Sequence, residues 1–289
     1  MNYLVVTPVR DEERYIEQTL RSMIAQTIKP VRWVVVDDGS NDRTAELVRE
    51  YAKDQSFIQL IRNERKTSRQ TGVAEVLAFN TGLAAAREFD FDSVVKLDGD
   101  LSFGPEYFEQ LLRRFEETPQ LGIASGIYLE QKSGRWTKIS MPAYHAAGAC
   151  KMVRRACFEA IGGFIAERGW DTVDEIRAMS RGWLTTHFAE LEMKHWKPEG
   201  SGMGRLRTCY MHGEIFYRTG GGWLFMFLKC LNRLRSRPIL VGGVATFWGY
   251  VHAWLQRHEP LVTGEEARCY RTLLNQRFAN RFPRSRETA

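Results

Sequence analysis

The stretch Val94–Ser102 reads VVKLDGDLS, a short apolar run that ends in two aspartates separated by one glycine. The β-branched and aliphatic residues before the aspartates are typical of a buried strand. In an open parallel sheet, the carboxyl ends of the strands form the edge where ligands bind. The stretch therefore predicts an α/β fold in which Asp98 and Asp100 lie at that edge.

The segments before this stretch alternate short β-branched runs with amphipathic runs. Strands are predicted at Tyr3–Thr7, Trp33–Val36, Phe57–Ile61 and Ser93–Leu97, and helices at Asp11–Gln26, after Asn41 or Asp42, and at Gly72–Arg87. Strands that alternate with helices in this way are the pattern of βαβ units. The predicted fold is therefore α/β, with a Rossmann-like, mostly parallel sheet flanked by helices.

The chain after Gly104-Pro105 keeps this mixed character and then changes. Further predictions are a helix over Tyr107–Phe115, a hairpin of Ile123–Leu129 with Arg135–Ile139, and helices at Arg154–Ile161 and Asp171–Arg181. From about Gly213, glycines, aromatic residues and basic residues dominate, and the strand periodicity is lost. Two domains are predicted, residues 1–212 and a C-terminal helical segment, residues 213–289.

The composition excludes several classes of protein. Five cysteines, none of them in a CxxC pair, are scattered over 289 residues, so neither a disulfide framework nor a zinc cage is indicated. The N-terminus lacks the features of a secretion signal, and a cytoplasmic location is expected. The net charge of +6 suits phosphates or an anionic membrane surface. No nucleic-acid partner is expected, because no nucleic-acid-binding module is recognisable.

The spacing of Asp98 and Asp100 has a chemical reason. Mg²⁺ and Mn²⁺ take oxygen ligands and are commonly held by one or two carboxylates together with substrate phosphates. In an extended strand the two side chains would point to opposite faces, and Gly99 lets the backbone turn so that both reach one pocket. Two more acidic clusters, Arg10-Asp11-Glu12 and Asp37-Asp38, follow the first and second strands. They are expected at the same edge of the sheet, although each alone would also fit a helix cap.

Together these motifs resemble those of the family-2 glycosyltransferases, which have the A-type nucleotide-sugar-binding fold. The tail, with Gly242-Gly243 and Trp248-Gly249-Tyr250, resembles that of a bacterial, polysaccharide-assembly type of these enzymes. The resemblance covers about residues 1–210. It rests on Thr7-Pro8-Val9-Arg10-Asp11-Glu12, Val36-Asp37-Asp38-Gly39-Ser40 with Asp42 and Thr44, Asn80-Thr81-Gly82-Leu83, Asp98-Gly99-Asp100, Gly162-Gly163-Phe164 and Trp170-Asp171. It implies that residues 1–212 bind a nucleotide-diphosphate sugar and carry the active site.

The resemblance also implies roles for single residues. The donor would be bound by Thr7, Pro8, Val9, Arg10, Glu12, Asp37, Asp38, Arg69, Asp98 and Gly99. The ion, Mn²⁺ or Mg²⁺, would be held by Asp98, Asp100 and His195. A histidine beside aromatic residues is also commonly a packed residue, and His212 is an alternative to His195. A solvated basic loop would account for Arg69 equally well.

A catalytic base is needed to deprotonate the acceptor hydroxyl as it attacks the anomeric carbon. In the family this base is usually the aspartate of a Glu-Asp pair at a helix start after the Gly-Gly-Phe loop. Here the corresponding pair is Trp170-Asp171, which lacks the glutamate. The resemblance therefore implies Asp171 as the base, with Asp174 as the alternative. Acidic residues in the first turn of a helix are also stabilised by the helix dipole alone.

The most apolar part of the chain is residues 222–255. Pro238–Leu255 has eighteen residues without a formal charge, at the threshold for a membrane span, but glycines, a proline and a histidine weaken that interpretation. The basic residues of Lys229–Arg237 lie between two apolar runs, so peripheral contact with an anionic membrane is expected. The alternative is a helical hairpin packed on the catalytic domain or on a second subunit in a homodimer.

The expected function is that of an inverting, metal-dependent glycosyltransferase at the cytoplasmic face of the inner membrane. It would move a sugar from the nucleotide donor to a glycan or a lipid-linked acceptor in cell-surface polysaccharide synthesis. One alternative is transfer to a polyprenyl phosphate, whose anionic acceptor needs no base. Another is a catalytically inactive nucleotide-sugar-binding or scaffold protein, which the missing glutamate before Asp171 would favour.

Overall fold

The computed structural model describes residues 1–63, 72–132, 134–197, 204–233 and 241–281. The chain divides into two compact units, residues 1–198 and residues 199–289. The predicted domain border, between residues 212 and 213, lies inside the first helix of the second unit, Arg205–Arg218. The boundary between the two compact units therefore lies before this helix, at residues 198 and 199.

The first unit is an α/β layer structure. Its strands are β1 Tyr3–Val9, β2 Arg32–Asp37, β3 Ile58–Arg62, β4 Ser93–Leu97, β5 Leu101–Phe103, β6 Leu121–Lys132, β7 Arg135–Lys138, β8 Cys150–Arg154 and β9 Leu184–His195. Its helices are α1 Ile16–Ile24, α2 Thr44–Ala52, α3 Val73–Ala85, α4 Tyr107–Glu117, α5 Arg155–Ala160 and α6 Trp170–Ser180. The second unit contains α7 Arg205–Arg218, α8 Trp223–Arg233, α9 Val241–Leu255 and α10 Gly264–Arg281.

The described strands form one sheet in the order β3-β2-β1-β4-β8-β6-β9-β5, with β7 paired to β6. The pairs β3–β2, β2–β1 and β1–β4 are parallel, as the alternation of strands and helices predicted. Beyond β4 the sheet is mixed, because β8 runs antiparallel to both β4 and β6, whereas β9 runs parallel to β6. The α/β class and the β6–β7 hairpin are confirmed.

Helices cover both faces of this sheet, and each face has its own apolar core. On one face, α1 and α4 contribute side chains such as Leu20 and Phe108. On the other, α3, α5 and α6 contribute side chains such as Phe79 and Trp170. The helix predicted from Asp11 begins at Ile16 instead, because Asp11 has a φ of +54°, outside the helical range.

A glycine in the Asn80–Leu83 motif sets how closely α3 approaches the parallel strands. A Cβ atom at Gly82 would lie 2.5 Å from Cγ1 of Val6 and 2.8 Å from Cγ2 of Val36. Such distances are shorter than side-chain contacts allow, so only glycine fits without moving the helix. This close packing sets the position of α3, which carries Glu75 on its first turn.

In the second unit, helices α7 and α9 pack closely against each other. A Cβ atom at Gly213 on α7 would lie 1.9 Å from the carbonyl oxygen of Thr246, and one at Gly249 on α9 would lie 2.0 Å from that of Tyr210. The two helix backbones are therefore in direct contact at these glycines. Among the described residues, every helix is too short or too polar to cross a bilayer.

Candidate active site

The parallel half of the sheet brings three predicted clusters to one edge. Strand β1 lies between β2 and β4, with Val9 opposite Asp37 and Val6 opposite Lys96. The carboxyl ends of these three strands are followed by Arg10 to Glu12, by Asp38 and by Asp98 to Asp100, respectively. The expectation that these clusters share an edge is therefore met by the strand order.

Asp98, Asp100 and His195 form a compact cluster at this edge. One ligand atom from each residue lies within 4.8 Å of the others. Asp100 Oδ2 is 3.4 Å from His195 Nε2. The antiparallel pairing of β5 with β9 places Leu101 opposite His195, which brings the histidine to the aspartates across the sequence. His212 instead lies on α7 in the second unit.

The donor atoms of this cluster suit a divalent cation. Asp100 Oδ1 and His195 Nδ1 are buried and have no hydrogen-bond partner among the described residues. Buried polar atoms normally have a partner, so the unpartnered carboxylate oxygen of Asp100 is a candidate ligand atom. Two carboxylates and an imidazole are a set of ligands that Mn²⁺ accepts, and carboxylates are also the preferred protein ligands of Mg²⁺.

The imidazole of His195 has a strongly charged environment. Burial alone lowers its pKa, but the neighbouring carboxylates of Asp100, Asp98 and Glu130 more than reverse this effect. The pKa of His195 is therefore raised above its ordinary value. A cation bound at the cluster would compete with this proton, because a metal ligand must be deprotonated.

Lys96 holds Asp98 from inside the protein. Its ammonium group is buried, lies 2.5 Å from Asp98 Oδ1 and 3.1 Å from the carbonyl oxygen of Gly148, and forms an ion pair with Glu75. Burial raises the pKa of Asp98 to about 7, and Lys96 limits this rise because its charge favours the carboxylate. The backbone N–H of Asp98 donates to Ala149 at 2.7 Å, so side chain and backbone are both anchored.

Gly99 is required by its contacts as well as by its place between the aspartates. A Cβ atom at this position would lie 2.7 Å from Cγ1 of Val9 and 3.2 Å from Cδ1 of Ile16. Its φ is not in the left-handed region, so the need for glycine comes from the close approach of β1 and α1. The loop that carries the two carboxylates is packed directly against the end of β1.

The β1 segment of the predicted donor site is only partly accessible. Thr7 is fully buried, and its Oγ1 accepts a hydrogen bond from the Trp33 indole at 2.8 Å, while Val9 belongs to the core. Pro8 and Arg10 are half-buried. Among the residues predicted here, Pro8 and Arg10 are therefore the ones whose side chains reach the surface.

Glu12 and the two aspartates after β2 are held by internal contacts. Glu12 Oε1 lies 2.5 Å from Lys197 Nζ, just beyond the end of β9. Asp37 accepts the Ser40 N–H at 2.9 Å, and its other oxygen is 3.3 Å from Arg62 Nε. Asp38 Oδ1 accepts a hydrogen bond from Asn63 at 3.3 Å. The predicted donor contact Arg69 lies outside the described residues.

The two candidates for the base occupy different environments on α6. Asp171 is half-buried in the first turn, where a Cβ at Gly148 would lie 3.5 Å from its Oδ2. Asp174 is only 2% exposed, and both its oxygens are 3.0 Å from the buried ammonium of Lys151. Burial raises the pKa of Asp174 to about 8, against the effect of Lys151. Asp174 is therefore placed as an interior ion-pair partner, while Asp171 faces the segment that Lys96 anchors.

Lys151 organises the start of α6. Its ammonium donates to the carbonyl oxygen of Asp171 at 2.7 Å and lies 3.2 Å from Glu175 Oε1. The ring of Trp170, the residue in the place of the family's glutamate, has Lys151 at 5.3 Å and Lys96 at 5.4 Å from its centroid. Cations at such distances from an indole are attracted to it. Trp170 is thus a buried contact between the two lysines and not an exposed sugar platform.

A histidine that sequence analysis missed, His145, lies near the candidate base Asp171. His145 Nδ1 is 3.0 Å from Oε2 of the buried Glu175, and its side chain is 23% exposed. Burial lowers its pKa, but Glu175 raises it more, with a further contribution from Asp171, so the net pKa is raised. Glu175 also accepts the backbone N–H of Ala146 at 2.8 Å. The segment from His145 onward is therefore attached to α6.

The signals that could have revealed these residues are weak but identifiable. A lysine inside an apolar strand run, as at Lys96 in SVVKL and Lys151 in CKMVR, is uncommon unless the charge is paired. Lys96 pairs with Asp98 two residues further on, but its second partner, Glu75, is on α3, and the partners of Lys151 are on α6. Sequence alone therefore indicates that partners are needed but not which ones.

Comparison with known proteins places the chain among sugar-transferring enzymes. The profile described as "Glycosyl transferase family 2" matches residues 4–188. The chain is 30% identical over 135 residues to the uncharacterized glycosyltransferase EpsJ of Bacillus subtilis, covering 47% of this chain and 36% of EpsJ. It is 26% identical over 141 residues to the poly-beta-1,6-N-acetyl-D-glucosamine synthase of Staphylococcus aureus, covering 48% and 32%. The match spans about a third of either relative.

The fold has solved counterparts. The mannosyltransferase PcManGT from Pyrobaculum calidifontis, solved in complex with GDP-Man and Mn²⁺, superposes with a TM-score of 0.58, covering 98% of this chain and 81% of that chain at 17% identity. At this level of identity the superposition shows a shared fold. It agrees with the α/β architecture expected for the A-type fold.

Proposed function

Because the chain belongs to glycosyltransferase family 2, we propose that it transfers a sugar from a nucleoside-diphosphate sugar to a hydroxyl of a glycan or a lipid-linked acceptor. The observation that carries the proposal is the cluster of Asp98, Asp100 and His195 at the edge formed by β1, β2 and β4. Within it, Asp100 Oδ1 is buried without a hydrogen-bond partner among the described residues, which supports its assignment as a ligand atom. The likeness to an enzyme solved with GDP-Man and Mn²⁺ supports the same reaction class.

On the donor side, we assign the nucleotide to the loop from Pro8 to Arg10 and to Asp38, next to the metal cluster. Arg10 supplies a cation near the phosphates of the donor. Asp38 supplies carboxylate oxygens that accept hydrogen bonds from the nucleobase. Asp37 is assigned a structural role, because its oxygens already meet Ser40 and Arg62. Thr7 likewise supports the loop from below, through its hydrogen bond with the Trp33 indole.

We assign the metal ligands to Asp98, Asp100 and His195, with Mn²⁺ favoured over Mg²⁺ because an imidazole nitrogen suits transition metals better than the oxygen-seeking Mg²⁺. When bound, the ion would neutralise the negative charge that develops on the departing diphosphate. Lys96 holds Asp98 in place from the interior, so the carboxylate is oriented before any ligand arrives.

On the acceptor side, we assign the base to Asp171. Its carboxylate takes the proton of the acceptor hydroxyl while that oxygen forms a bond to the anomeric carbon. The bond from the anomeric carbon to the diphosphate oxygen breaks on the opposite side, which inverts the configuration. One base suffices for this single displacement, and no nucleophile from the protein is required. Lys151 fixes the helix turn that presents Asp171.

We further assign the chain to the assembly of a cell-surface polysaccharide at the cytoplasmic face of the membrane. One relative supports the polysaccharide part of this assignment, because it is named as a poly-beta-1,6-N-acetyl-D-glucosamine synthase. The acceptor would then be a growing glycan or its lipid-linked precursor. The alternative acceptor, a polyprenyl phosphate, differs in one testable property, namely that it carries no proton for Asp171 to remove.

The test of the proposed function is a ligand screen followed by turnover. UDP, GDP and their sugar conjugates are added with and without Mn²⁺, and the melting temperature is followed. A ligand at about a hundred times its Kd stabilises the folded state by about 2.7 kcal/mol. We expect one nucleotide class to raise the melting temperature in a Mn²⁺-dependent way, and its sugar conjugate to be hydrolysed or transferred. A flat response to every nucleotide, with and without Mn²⁺, would contradict the proposal.

A further inference from the structure

Helix α9 has its large and small residues on the opposite sides from those of a helix in a water-soluble protein. Its buried residues are Gly242, Gly243, Thr246, Gly249 and Ala253. Its exposed large residues are Val241, Val244, Phe247, Trp248, Trp254 and Leu255. A surface helix normally buries its apolar stripe and exposes polar residues. Here the small residues are inside and the apolar ones are outside.

The pairing with α7 causes this arrangement. The backbones approach so closely at Gly213 and Gly249 that a Cβ on either would lie about 2 Å from the carbonyl oxygen of a facing residue. Only a face of small residues permits such an approach. The hydroxyl of Thr246 on the same face is satisfied by the carbonyl of Gly242 at 2.8 Å. The small face of α9 is therefore committed to α7, and its apolar face is left outward.

Helix α8 extends the exposed apolar surface. It buries Met226 and Cys230 and exposes Trp223, Leu224, Phe227 and Leu231. The rings of Phe227 and Phe247 meet edge to face at 6.2 Å, so the exposed residues of α8 adjoin those of α9. We call these ten exposed residues of the two helices the α8–α9 face. Elsewhere among the described residues, only four large apolar side chains are exposed: Ile28, Leu77, Leu184 and Leu206.

The sequence around this face has one sign of charge. Residues 215–258 contain six lysines and arginines and no acidic residue. Three of them, Arg233, Arg235 and Arg237, lie at or just after the end of α8, in the sequence that leads to α9. The cytoplasmic leaflet of a bilayer has an apolar interior and anionic headgroups. A protein face that combines exposed apolar side chains with nearby basic residues is complementary to both parts of that leaflet.

The length of α9 decides how it would meet such a bilayer. Fifteen residues span about 22 Å at 1.5 Å per residue, less than the hydrocarbon core of about 30 Å. The helix therefore fits the plane of the interface rather than a crossing. Trp248 and Trp254, each more than half exposed, are the residue type enriched at the level of the lipid headgroups.

We propose that the α8–α9 face docks in the plane of an anionic lipid bilayer. A second copy of the chain is a weaker fit for the same face. Pairing this face with itself would bring two segments together that each carry six basic residues and no acid. Like charges placed opposite each other across an interface oppose association. An anionic membrane is complementary to both the apolar area and the positive charge. This inference does not depend on the proposed sugar transfer.

The test measures binding of the full chain to vesicles by co-sedimentation. Vesicles of phosphatidylcholine alone are compared with vesicles that also contain phosphatidylglycerol, at low and high salt. We expect binding to the anionic vesicles only, and weaker binding as salt increases. The double variant Val244→Gln/Trp248→Gln should lower the partition coefficient by about tenfold or more, because buried apolar area is lost. Its matched control is Leu184→Gln/Leu206→Gln, which changes two exposed residues off the face and should bind like the unmodified chain.

The charge is tested by the triple variant Arg233→Gln/Arg235→Gln/Arg237→Gln, which should lose about fivefold in binding for each arginine. Melting temperatures establish whether each variant is folded. Equal binding to neutral and anionic vesicles would overturn the proposal, as would a face variant that binds as well as its control. Light scattering gives a third outcome that would overturn the proposal. If the unmodified chain does not bind vesicles but forms a dimer, and the face variant is monomeric, the face is the interface with a second copy.

Discussion

The ammonium group of Lys151 lies 2.7 Å from the main-chain carbonyl oxygen of Asp171, although the lysine is completely buried. The strand that runs through the sheet interior is therefore attached to the first turn of the helix that carries the proposed base. The same ammonium pairs with Asp174 and Glu175, so one cation fixes three points of α6.

The first prediction concerns this buried cation. Lys151→Met leaves Asp174 in the interior without its ammonium partner and Glu175 with His145 as its remaining ion-pair partner, and breaking a buried pair in this way costs about 3–5 kcal/mol. For a unit of this size we expect the melting temperature to fall by roughly 6 °C or more. Lys138→Met is the control, because Lys138 forms an exposed pair with Glu192 at 2.8 Å, worth less than about 1 kcal/mol. Equal melting temperatures for the two variants would disprove the structural role of Lys151.

The second prediction follows from the raised pKa of His145 beside Glu175. A histidine whose pKa is higher in the folded state stabilises the fold fully below its unfolded pKa, and this stabilisation is lost as the pH rises through the folded pKa. The groups that act on His145 are Glu175, Asp171 and Lys151. The stability difference between the unmodified chain and His145→Gln should therefore shrink from pH 6 to pH 8.5. Urea denaturation at both pH values measures it, and a difference that is constant or grows with pH contradicts the prediction.

The third prediction concerns the metal cluster. Asp100→Asn removes one charged ligand atom while keeping the shape of the side chain. We expect the affinity for Mn²⁺ in the presence of a nucleoside diphosphate to fall by about 100-fold or more, and transfer to fall by on the order of 10²–10³-fold. Calorimetric titration of Mn²⁺ measures the first effect. Asp90→Asn, at an almost fully exposed carboxylate, is the control and should titrate normally. Unchanged Mn²⁺ affinity in Asp100→Asn would remove this residue from the metal site.

The fourth prediction separates the two classes of acceptor. With a hydroxyl acceptor, Asp171→Asn should lower kcat by about 10²–10⁴-fold, the usual contribution of a general base, with little change in the KM for the donor. With a polyprenyl phosphate the same variant should keep its activity, because the acceptor is already ionised. Asp174→Asn should instead lower the melting temperature, since Asp174 belongs to the buried pair with Lys151. Full activity of Asp171→Asn with a hydroxyl acceptor would exclude it as the base.

The fifth prediction tests the contact of α7 with α9. A methyl group at Gly249 would lie 2.0 Å from the carbonyl oxygen of Tyr210, so Gly249→Ala must push the helices apart. The cost of overpacking, about 1–3 kcal/mol or more where backbone blocks the site, exceeds the gain of about 1 kcal/mol in helix propensity. Gly222→Ala is the control, because the nearest atom to its Cβ is a flexible arginine carbon 3.8 Å away. A Gly249→Ala chain at least as stable as the control would contradict the described packing.

The sequence predicted those features that depend on local patterns. The parallel strands β1 to β4 have short apolar runs followed by turn residues, and both signals lie within a few residues of each other. The position of Asp98 and Asp100 followed from this pattern, because strand order and direction place them at the sheet edge. The metal role of Asp98 and Asp100 was argued from their spacing, whereas the donor contacts and His195 as a ligand came from the resemblance to a family; all of these roles remain predictions.

Features that depend on distant partners were not predicted. Strand β8 includes Lys151, a charged residue in a buried strand. Its partners Asp174 and Glu175 are on α6, and the sequence does not show that they lie next to it. Strand β5 has three residues and takes its partner β9 from far along the chain. The boundaries of α1 were also wrong at the sequence level, because the turn at Asp11 depends on contacts with Ser40 and Asn41 after β2.

The position of Trp170 between Lys96 and Lys151 has a consequence for how the two substrates meet. One lysine anchors the carboxylate on the donor side, the other anchors the turn that bears the proposed base, and a rigid aromatic ring touches both. The proposed metal ligand Asp98 and the turn that carries the proposed base Asp171 are therefore held through the two lysines that contact one ring. Catalytic geometry that is set in advance spares the entropy of assembling it at each turnover. The resemblance puts Trp170 where the family usually has a glutamate, so this chain has a neutral ring between two cations at that position.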